Sequence, residues 1–124
     1  MIHIKDQHIE IINSDSAQKY TNQNFTLDRC VINTLDLNAL EFHGKVNILN
    51  CIIHQLIIYG SWFSGGLNFS NNIIYSSIDY QKGGHNQKEI EISGNILNRS
   101  FSFLDCQFDG KLSVKNNIFC RDLA

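Results

Sequence analysis

Four cysteines are the first residues of this sequence whose chemistry could bind a metal or form a disulfide: Cys30, Cys51, Cys106 and Cys120. Because no two of them form a C-x-x-C element, their spacing does not predict a zinc site. Cys30 and Cys51 occupy equivalent positions of the repeat described below, so a disulfide between them is an alternative to burial as small hydrophobic residues. We favour buried thiols, expect Cys120 to be the most exposed of the four, and predict neither a metal nor a cofactor.

Acid–base chemistry would depend on histidines and on two pairs of neighbouring carboxylates. No Ser/His/Asp or Cys/His arrangement can be assembled from them, and a polysaccharide lyase or hydrolase would need several carboxylate or basic groups converging on one groove. We therefore predict that the protein is not an enzyme and that its histidines hold ordinary surface positions. The residues concerned are His3, His8, His43, His54 and His85, with Glu89 and Glu91 and with Asp105 and Asp109.

Aromatic and glycine residues in two segments are candidates for a binding surface. Trp62 directly precedes an inward residue of the repeat, so we expect it to face solvent beside Tyr59. The segment 81–89 breaks the repeat and contains two adjacent glycines, which predicts a loop inserted into the coil. This loop is either a tolerated surface insertion or a recognition loop on a rigid scaffold. The candidate binding residues are Tyr59, Trp62, Lys82, Gly83, Gly84, His85, Asn86 and Lys88.

The elements that position these side chains follow from a hydrophobic pattern that recurs every 10 to 12 residues. Each unit has two apolar residues flanking one outward residue, which is the pattern of a short β-strand. Repetition on this scale predicts stacked coils rather than one central core. The absence of proline is consistent with uninterrupted strand pairing. The pairs are Phe25 and Leu27, Leu35 and Leu37, Val46 and Ile48, Leu56 and Ile58, Leu67 and Phe69, Ile78 and Tyr80, Ile90 and Ile92, Phe101 and Phe103, and Leu112 and Val114.

The pattern fits a coil with four sides and 21 to 23 residues per turn. On one side Ile53 and Ile74 are predicted to stack directly over each other, with hydrogen bonds between coils about 4.8 Å apart. Asn72, Asn95 and Asn117 align in the same way and predict an asparagine ladder. We predict an all-β fold, a right-handed parallel β-helix of four to five coils. A β-sandwich is the main alternative, although its strands rarely keep one spacing over so many units.

Length and composition predict one domain of 124 residues, with an opening coil or cap at 1–24 and coils at 25–124, interrupted by the loop at 81–89. Only residues 15–20 have the composition of a short helix. A net charge of −2 and a pI near 6.2 do not favour nucleic-acid binding. The sequence contains neither an apolar run of about 18 residues nor a secretory signal, so we expect a cytoplasmic protein without a membrane partner.

Residues 101–119 resemble pentapeptide-repeat proteins, specifically the divergent variety whose inward residues are spaced alternately by five and six. The stretch 46–74 is similar. In that family an inward Leu or Phe follows a small residue two positions earlier. Small residues stand at that position here at Cys30, Cys51, Ser61 and Cys106. Other sides of the coil carry Leu, Ile or Phe there and resemble the repeats of pectate-lyase-like proteins. Both resemblances imply a right-handed parallel β-helix across about residues 25–119.

The repeat and the resemblance together lead to a functional prediction: a non-enzymatic protein-binding scaffold, with an immunity- or inhibitor-like role toward another protein as one setting. The alternative is a carbohydrate-binding or carbohydrate-active β-helix with Tyr59, Trp62 and the 81–89 loop as its platform. Residues 120–124 show no cap, and a β-helix leaves an unpaired edge at each end. We therefore expect the C-terminal coil to meet another protein or a second copy of the chain, and we expect no nucleic-acid partner.

Overall fold

The apolar pairs form short strands in the computed structural model, which describes residues 1–103 and 105–121, with the backbone alone for His85. In chain order the elements are β1 (Ile2–Lys5), β2 (His8–Ile12), α1 (Ser14–Ala17), a 3₁₀ helix (Gln18–Tyr20), β3 (Phe25–Asp28), β4 (Val31–Asp36), β5 (Glu41–Phe42), β6 (Val46–Leu49), β7 (Ile52–Ile57), β8 (Trp62–Phe63), β9 (Leu67–Ser70), β10 (Ile73–Ile74), β11 (Ile78–Asp79), β12 (His85–Asn86), β13 (Ile90–Ser93), β14 (Ile96–Asn98), β15 (Phe101–Ser102), β16 (Gln107–Phe108), β17 (Leu112–Lys115) and β18 (Ile118–Cys120).

Strands from successive turns lie side by side and parallel, as a coiled chain requires. One six-stranded sheet has the order β1-β3-β6-β9-β13-β17, and the second has the order β2-β4-β7-β10-β14-β18. Three two-stranded sheets, β5–β8, β11–β15 and β12–β16, continue the remaining sides. The chain thus makes about five turns, and β17 and β18 begin the next one. The prediction of an all-β parallel β-helix is confirmed.

One residue with left-handed backbone angles joins the first sheet to the second in each turn. The φ angle is 53° at Arg29, 55° at Asn50, 59° at Asn71 and 58° at Asn116, and Gly94 takes the same position with φ 68°. Asparagine tolerates this conformation because its short polar side chain bonds to the nearby backbone. Asparagine therefore occupies three of these corner positions.

Inward side chains stack from turn to turn to form the core. The aromatic part of the core is a column that begins with Tyr20 and continues through Phe25, Phe42 and Phe63 to Tyr80. Successive ring centroids in this column lie 4.7, 6.4, 5.7 and 5.6 Å apart. Such spacings are typical of favourable aromatic pairs, so the column contributes to the cohesion between turns.

The predicted asparagine ladder is present. Asn72 donates its backbone N–H to Oδ1 of Asn95 at 2.9 Å, and Asn95 does the same to Asn117 at 3.0 Å. The side-chain amides also bond to each other, at 3.1 Å and 2.9 Å. No buried side-chain nitrogen or oxygen of the described residues lacks a hydrogen-bond partner. The ladder therefore satisfies polar groups that burial would otherwise leave unpaired.

Residues 1–24 form the first turn, in which a short helix replaces two sides. The side chain of Asn13 accepts from the Ser16 N–H at 2.8 Å, and the Ser16 hydroxyl accepts from the Asn13 N–H at 3.0 Å, which makes a capping box. Ala17 is fully buried against the core. The helix expected at 15–20 is confirmed. None of the helices within 1–103 and 105–121 is long and apolar enough to cross a membrane.

Candidate functional site

Tyr59 and Lys82 are the predicted binding residues that lie together on the outside of the solenoid. The Tyr59 side chain is 41% exposed, and the ammonium of Lys82 lies 5.9 Å from the centre of its ring. Beside Tyr59 is a shallow cavity of about 210 Å³, lined also by Gln55, Ser76 and Asp79. Ligand pockets usually measure about 300–1,000 Å³, so this depression is small for a binding site.

Trp62 is less available than the sequence suggests. A Cβ built on Gly84 would overlap the indole ring of Trp62, so the Gly84 backbone lies directly on the ring. The tryptophan points outward as expected, but it is half-buried rather than open to solvent. The expectation of an exposed aromatic pair at Tyr59 and Trp62 is thus wrong for Trp62, because glycine lets the next turn cover it.

Asn86 and Gly83 lie inside the coil and cannot reach a partner from its outer surface. Asn86 is fully buried, and its Oδ1 accepts from the Phe63 N–H at 3.0 Å and from the Tyr80 hydroxyl at 2.6 Å. It pairs in register with Phe108 and thus replaces the phenylalanine of other turns. The structure therefore corrects the prediction that Asn86 and Gly83 contact a partner. The Asn86 side chain instead accepts the hydrogen bond of the Tyr80 hydroxyl inside the coil.

The segment 81–89 follows the coil instead of leaving it as a loop. Its β12 strand pairs in parallel with β16, and only one extra residue separates Tyr80 from Asn86 compared with Phe103 and Phe108 one turn later. Lys82, with a φ of 53°, takes the same corner position as Ala39, Gly60 and Asp105, so the extra residue lies between Lys82 and Asn86. Lys88 is exposed further along, and the side chain of His85 lies outside the described structure.

The cysteines are free thiols. Cys30 and Cys51 are buried, as predicted, and burial raises the pKa of the Cys51 thiol to about 11. Burial also raises the pKa of Cys106, whose Sγ lies 2.8 Å from the Tyr80 carbonyl oxygen. Cys106 and Cys120 are both half-buried. Raised thiol pKa values do not favour nucleophilic chemistry at neutral pH.

In the part of the chain that the structure describes, charged side chains do not converge on one point. Among residues 1–103 and 105–121, no three His, Cys, Asp or Glu side chains are placed to hold a metal. An ion pair joins the Arg29 Nε and Asp6 at 2.8 Å on the surface, and the hydrogen bond from Arg29 lowers the pKa of Asp6. This arrangement is that of an ordinary surface ion pair.

The largest departure from a closed core lies at the edge formed by β17 and β18, which we call the C-terminal face. The inward residues Leu112, Val114 and Phe119 are 39%, 45% and 51% exposed there. Their counterparts one turn earlier, Ile90, Ile92 and Leu97, are at most 1% exposed. The difference arises because no described strand pairs with the outer edges of β17 and β18. Of the segment 120–124 that was expected to lack a cap, residues 122–124 lie outside the described structure.

The opposite end of the solenoid is better covered. Ile2, Ile4 and Ile9 are half-buried, and Tyr20 stacks on Phe25 at the start of the aromatic column. Lys19, Tyr20 and Gln23 border an apolar depression of about 370 Å³ beside Ile2 and Ile4. The first turn with its short helix therefore shields much of this end, which distinguishes it from the C-terminal face.

Sequence reasoning predicted an uncapped C-terminal coil but did not select its residues as a site. The repeat places Leu112 and Val114 at inward positions, as it does the core residues of earlier turns. The signal that identifies them is their place in the last turn of the repeat. Comparisons with protein-family models, with curated proteins and with solved structures found no match for this chain.

Proposed function

We propose that the chain is a non-enzymatic scaffold that binds a polypeptide segment of a partner protein at its C-terminal face. The observation that carries this proposal is the exposure of Leu112, Val114 and Phe119, which occupy positions that are buried in the four turns between the first turn and β17. Burying such residues is worth about 25 cal/mol per Å² of apolar surface, so a partner that covers them gains binding free energy.

A polypeptide suits this face because the edge is both apolar and hydrogen-bonding. In the preceding turn, the Ile90 N–H donates to Lys111 O at 2.9 Å, and the Gly94 N–H donates to Lys115 O at 3.2 Å. The corresponding N–H groups, those of Leu112 and Asn116, lie at the edge of β17 with which no described strand pairs. An extended backbone supplies carbonyls at the required spacing, which is the principle of β-strand addition.

The carbohydrate alternative receives less support from the structure. A sugar platform would need open aromatic faces, and Gly84 covers Trp62. Tyr59 remains exposed, yet the cavity beside it is shallow. We therefore keep the protein-binding proposal alone.

The scaffold is proposed to belong to the pentapeptide-repeat type. Support comes from the stretch 92–114, in which inward Ile92, Leu97, Phe103, Phe108 and Val114 are spaced alternately by five and six residues. We propose a cytoplasmic setting, which suits four unpaired thiols. An immunity- or inhibitor-like role is the biological setting that this proposal favours, because blocking a partner requires a rigid surface rather than a catalytic group.

The proposal is tested by photo-crosslinking. Val114→p-benzoylphenylalanine places the probe on the C-terminal face, and Tyr59→p-benzoylphenylalanine places it on the outer side as a matched control. Incubation in an extract of the native cells should give an adduct from position 114, and mass spectrometry should identify the linked peptide. The same probe in a chain that also carries Phe119→Lys should give no adduct. An adduct between two copies would identify the partner as a second copy of the chain. Equal adducts from both positions, or none from position 114, would contradict the proposal.

A further inference from the structure

Among the described residues, the asparagine ladder reaches the C-terminal face at Asn117, and none of them supplies the rung that would follow. We propose that this rung selects a partner strand with an asparagine at one defined position. The inference rests on the proposed function, since it specifies the polypeptide that the face accepts. It is carried by the hydrogen-bond pattern of the ladder rather than by the apolar exposure.

Each complete rung makes the same set of bonds. The Asn95 Oδ1 accepts from the backbone N–H of Asn72 at 2.9 Å and from its side-chain amide at 3.1 Å. The Asn95 amide in turn donates to the Phe69 carbonyl at 2.9 Å. Asn117 repeats this pattern, accepting from Asn95 and donating to the Ile92 carbonyl at 2.9 Å. Every rung therefore needs a side chain that both accepts and donates.

No described residue occupies the next position of the ladder, although hydrogen-bonding groups of the C-terminal face point toward it. By the repeat, the backbone N–H of Asn117 and one hydrogen of its side-chain amide require an acceptor from the following turn. Ile92 pairs in register with Val114, so the Val114 carbonyl is the acceptor that corresponds to the Ile92 carbonyl. Two donors and one acceptor thus point toward the position of the missing strand.

A carboxamide is the side chain that completes this set. Its oxygen accepts both hydrogens of Asn117, and its nitrogen donates to the Val114 carbonyl. A carboxylate cannot donate and would bring a charge into an apolar contact, whereas alanine would leave all three groups unpaired on burial. The face therefore discriminates between strands by one side chain.

The register fixes where that carboxamide stands. Apolar residues must lie opposite Leu112, Val114 and Phe119, and the carboxamide must lie opposite Asn117, which gives the pattern apolar-x-apolar-x-x-Asn-x-apolar. The chain satisfies this pattern itself at 67–74, 90–97 and 112–119. The partner of this chemistry is a parallel, extended segment that mimics one side of a further turn.

A synthetic peptide of residues 90–98, IEISGNILN, tests the inference because it has this pattern. The fluorescently labelled peptide and its Asn95→Ala and Asn95→Asp forms are titrated with the 124-residue chain, and binding is followed by anisotropy. The parent peptide is expected to bind about tenfold more tightly than either variant, since leaving buried groups unpaired costs about that factor or more. A Tyr59→Ala chain should bind like the wild type, and a Val114→Lys chain should bind all three peptides more weakly.

The possible results separate the inference from the proposed function. Equal affinity for the three peptides, still weakened by Val114→Lys, would overturn the asparagine selectivity while supporting binding at the face. No binding by any peptide would overturn the inference and count against the proposed function. If sedimentation shows a dimer that Val114→Lys dissociates, and no peptide binds, the face belongs to a second copy and the inference is again overturned.

Discussion

Buried asparagine side chains in this protein take places that apolar residues could fill, and each does so by satisfying neighbouring backbone. Asn95 accepts two hydrogen bonds and donates two, linking three turns of the chain. Asn86 accepts from the Phe63 N–H and the Tyr80 hydroxyl at a position that holds phenylalanine elsewhere. These contacts explain how polar side chains of an otherwise apolar column can be fully buried.

Removing one rung of the ladder should destabilise the fold strongly. Asn95→Ala leaves the Asn72 N–H and the Phe69 carbonyl unpaired in the core, and we expect the free energy of unfolding to fall by about 3 kcal/mol. Asn47→Ala is the matched control, because Asn47 lies on the outer surface with one hydrogen bond to Thr26 and its loss should cost less than about 1 kcal/mol. Chemical denaturation measures both. Similar losses for the two variants would contradict the structural role of the ladder.

The raised pKa of Cys51 predicts a specific pH dependence. The thiol ionises near pH 9 when unfolded and near pH 11 when folded. Unfolding therefore releases a proton between these values, so the contribution of Cys51 to stability is complete below pH 9 and is lost as the pH rises to 11. The loss is at most about 3 kcal/mol.

Chemical denaturation at pH 8.5 and 10.5 measures this dependence. Between these two pH values, the free energy of unfolding should decrease less for Cys51→Ala than for the wild type. Tyr80 and Cys106 are present in both proteins, so their ionisation contributes to both decreases. The same decrease in both would show that the folded Cys51 thiol is not protected from ionisation.

At the scale of elements, the turn between Tyr80 and Asn86 shows how the coil accepts an extra residue without opening. Gly83 passes close to the Tyr80 ring and Gly84 lies on the Trp62 indole, so neither position has room for a side chain. The turn thereby packs onto the preceding strand β8. It closes the outer surface at the place where the sequence suggested a recognition loop.

Gly84→Ala should displace the indole and report this contact directly. The built Cβ would overlap the Trp62 ring, so we expect a red shift of fluorescence from the single tryptophan and a loss of about 1–3 kcal/mol in the free energy of unfolding. Gln87→Ala is the control, since Gln87 is exposed in the same segment. An unchanged emission maximum in Gly84→Ala would mean that the glycine does not cover the ring.

The strands and the ladder could be predicted from the sequence because each depends on a repeated residue type at a fixed spacing. Leu67 and Phe69 define one strand, and the alignment of Asn72 with Asn95 defines a rung. The burial of Asn86 could not be predicted, since it depends on the Tyr80 hydroxyl reaching across the core. The C-terminal face was predicted only as an uncapped coil, because an inward residue of the last turn looks like any other core residue in the sequence.

At the scale of the whole molecule, the two ends of the solenoid differ more than its sides do. The first turn carries a short helix and keeps Ile2, Ile4 and Ile9 half-buried, whereas β17 and β18 leave Phe119 and Val114 half exposed. The proposed binding along the axis therefore has one preferred end. The small net charge of −2 leaves shape, apolar contact and strand pairing as the determinants of recognition.

Amide hydrogen exchange followed residue by residue by NMR tests the openness and use of the C-terminal face most directly. In the free chain, the Leu112 and Asn116 amides should exchange fast, while the equivalent Ile90 and Gly94 amides, bonded to Lys111 and Lys115, should exchange slowly. Addition of the 90–98 peptide should slow Leu112 and Asn116 toward the rates of Ile90 and Gly94. If Leu112 and Asn116 are already as protected as Ile90 and Gly94 in the free chain, or if the peptide leaves their exchange unchanged, the face is not an open edge that accepts a polypeptide strand.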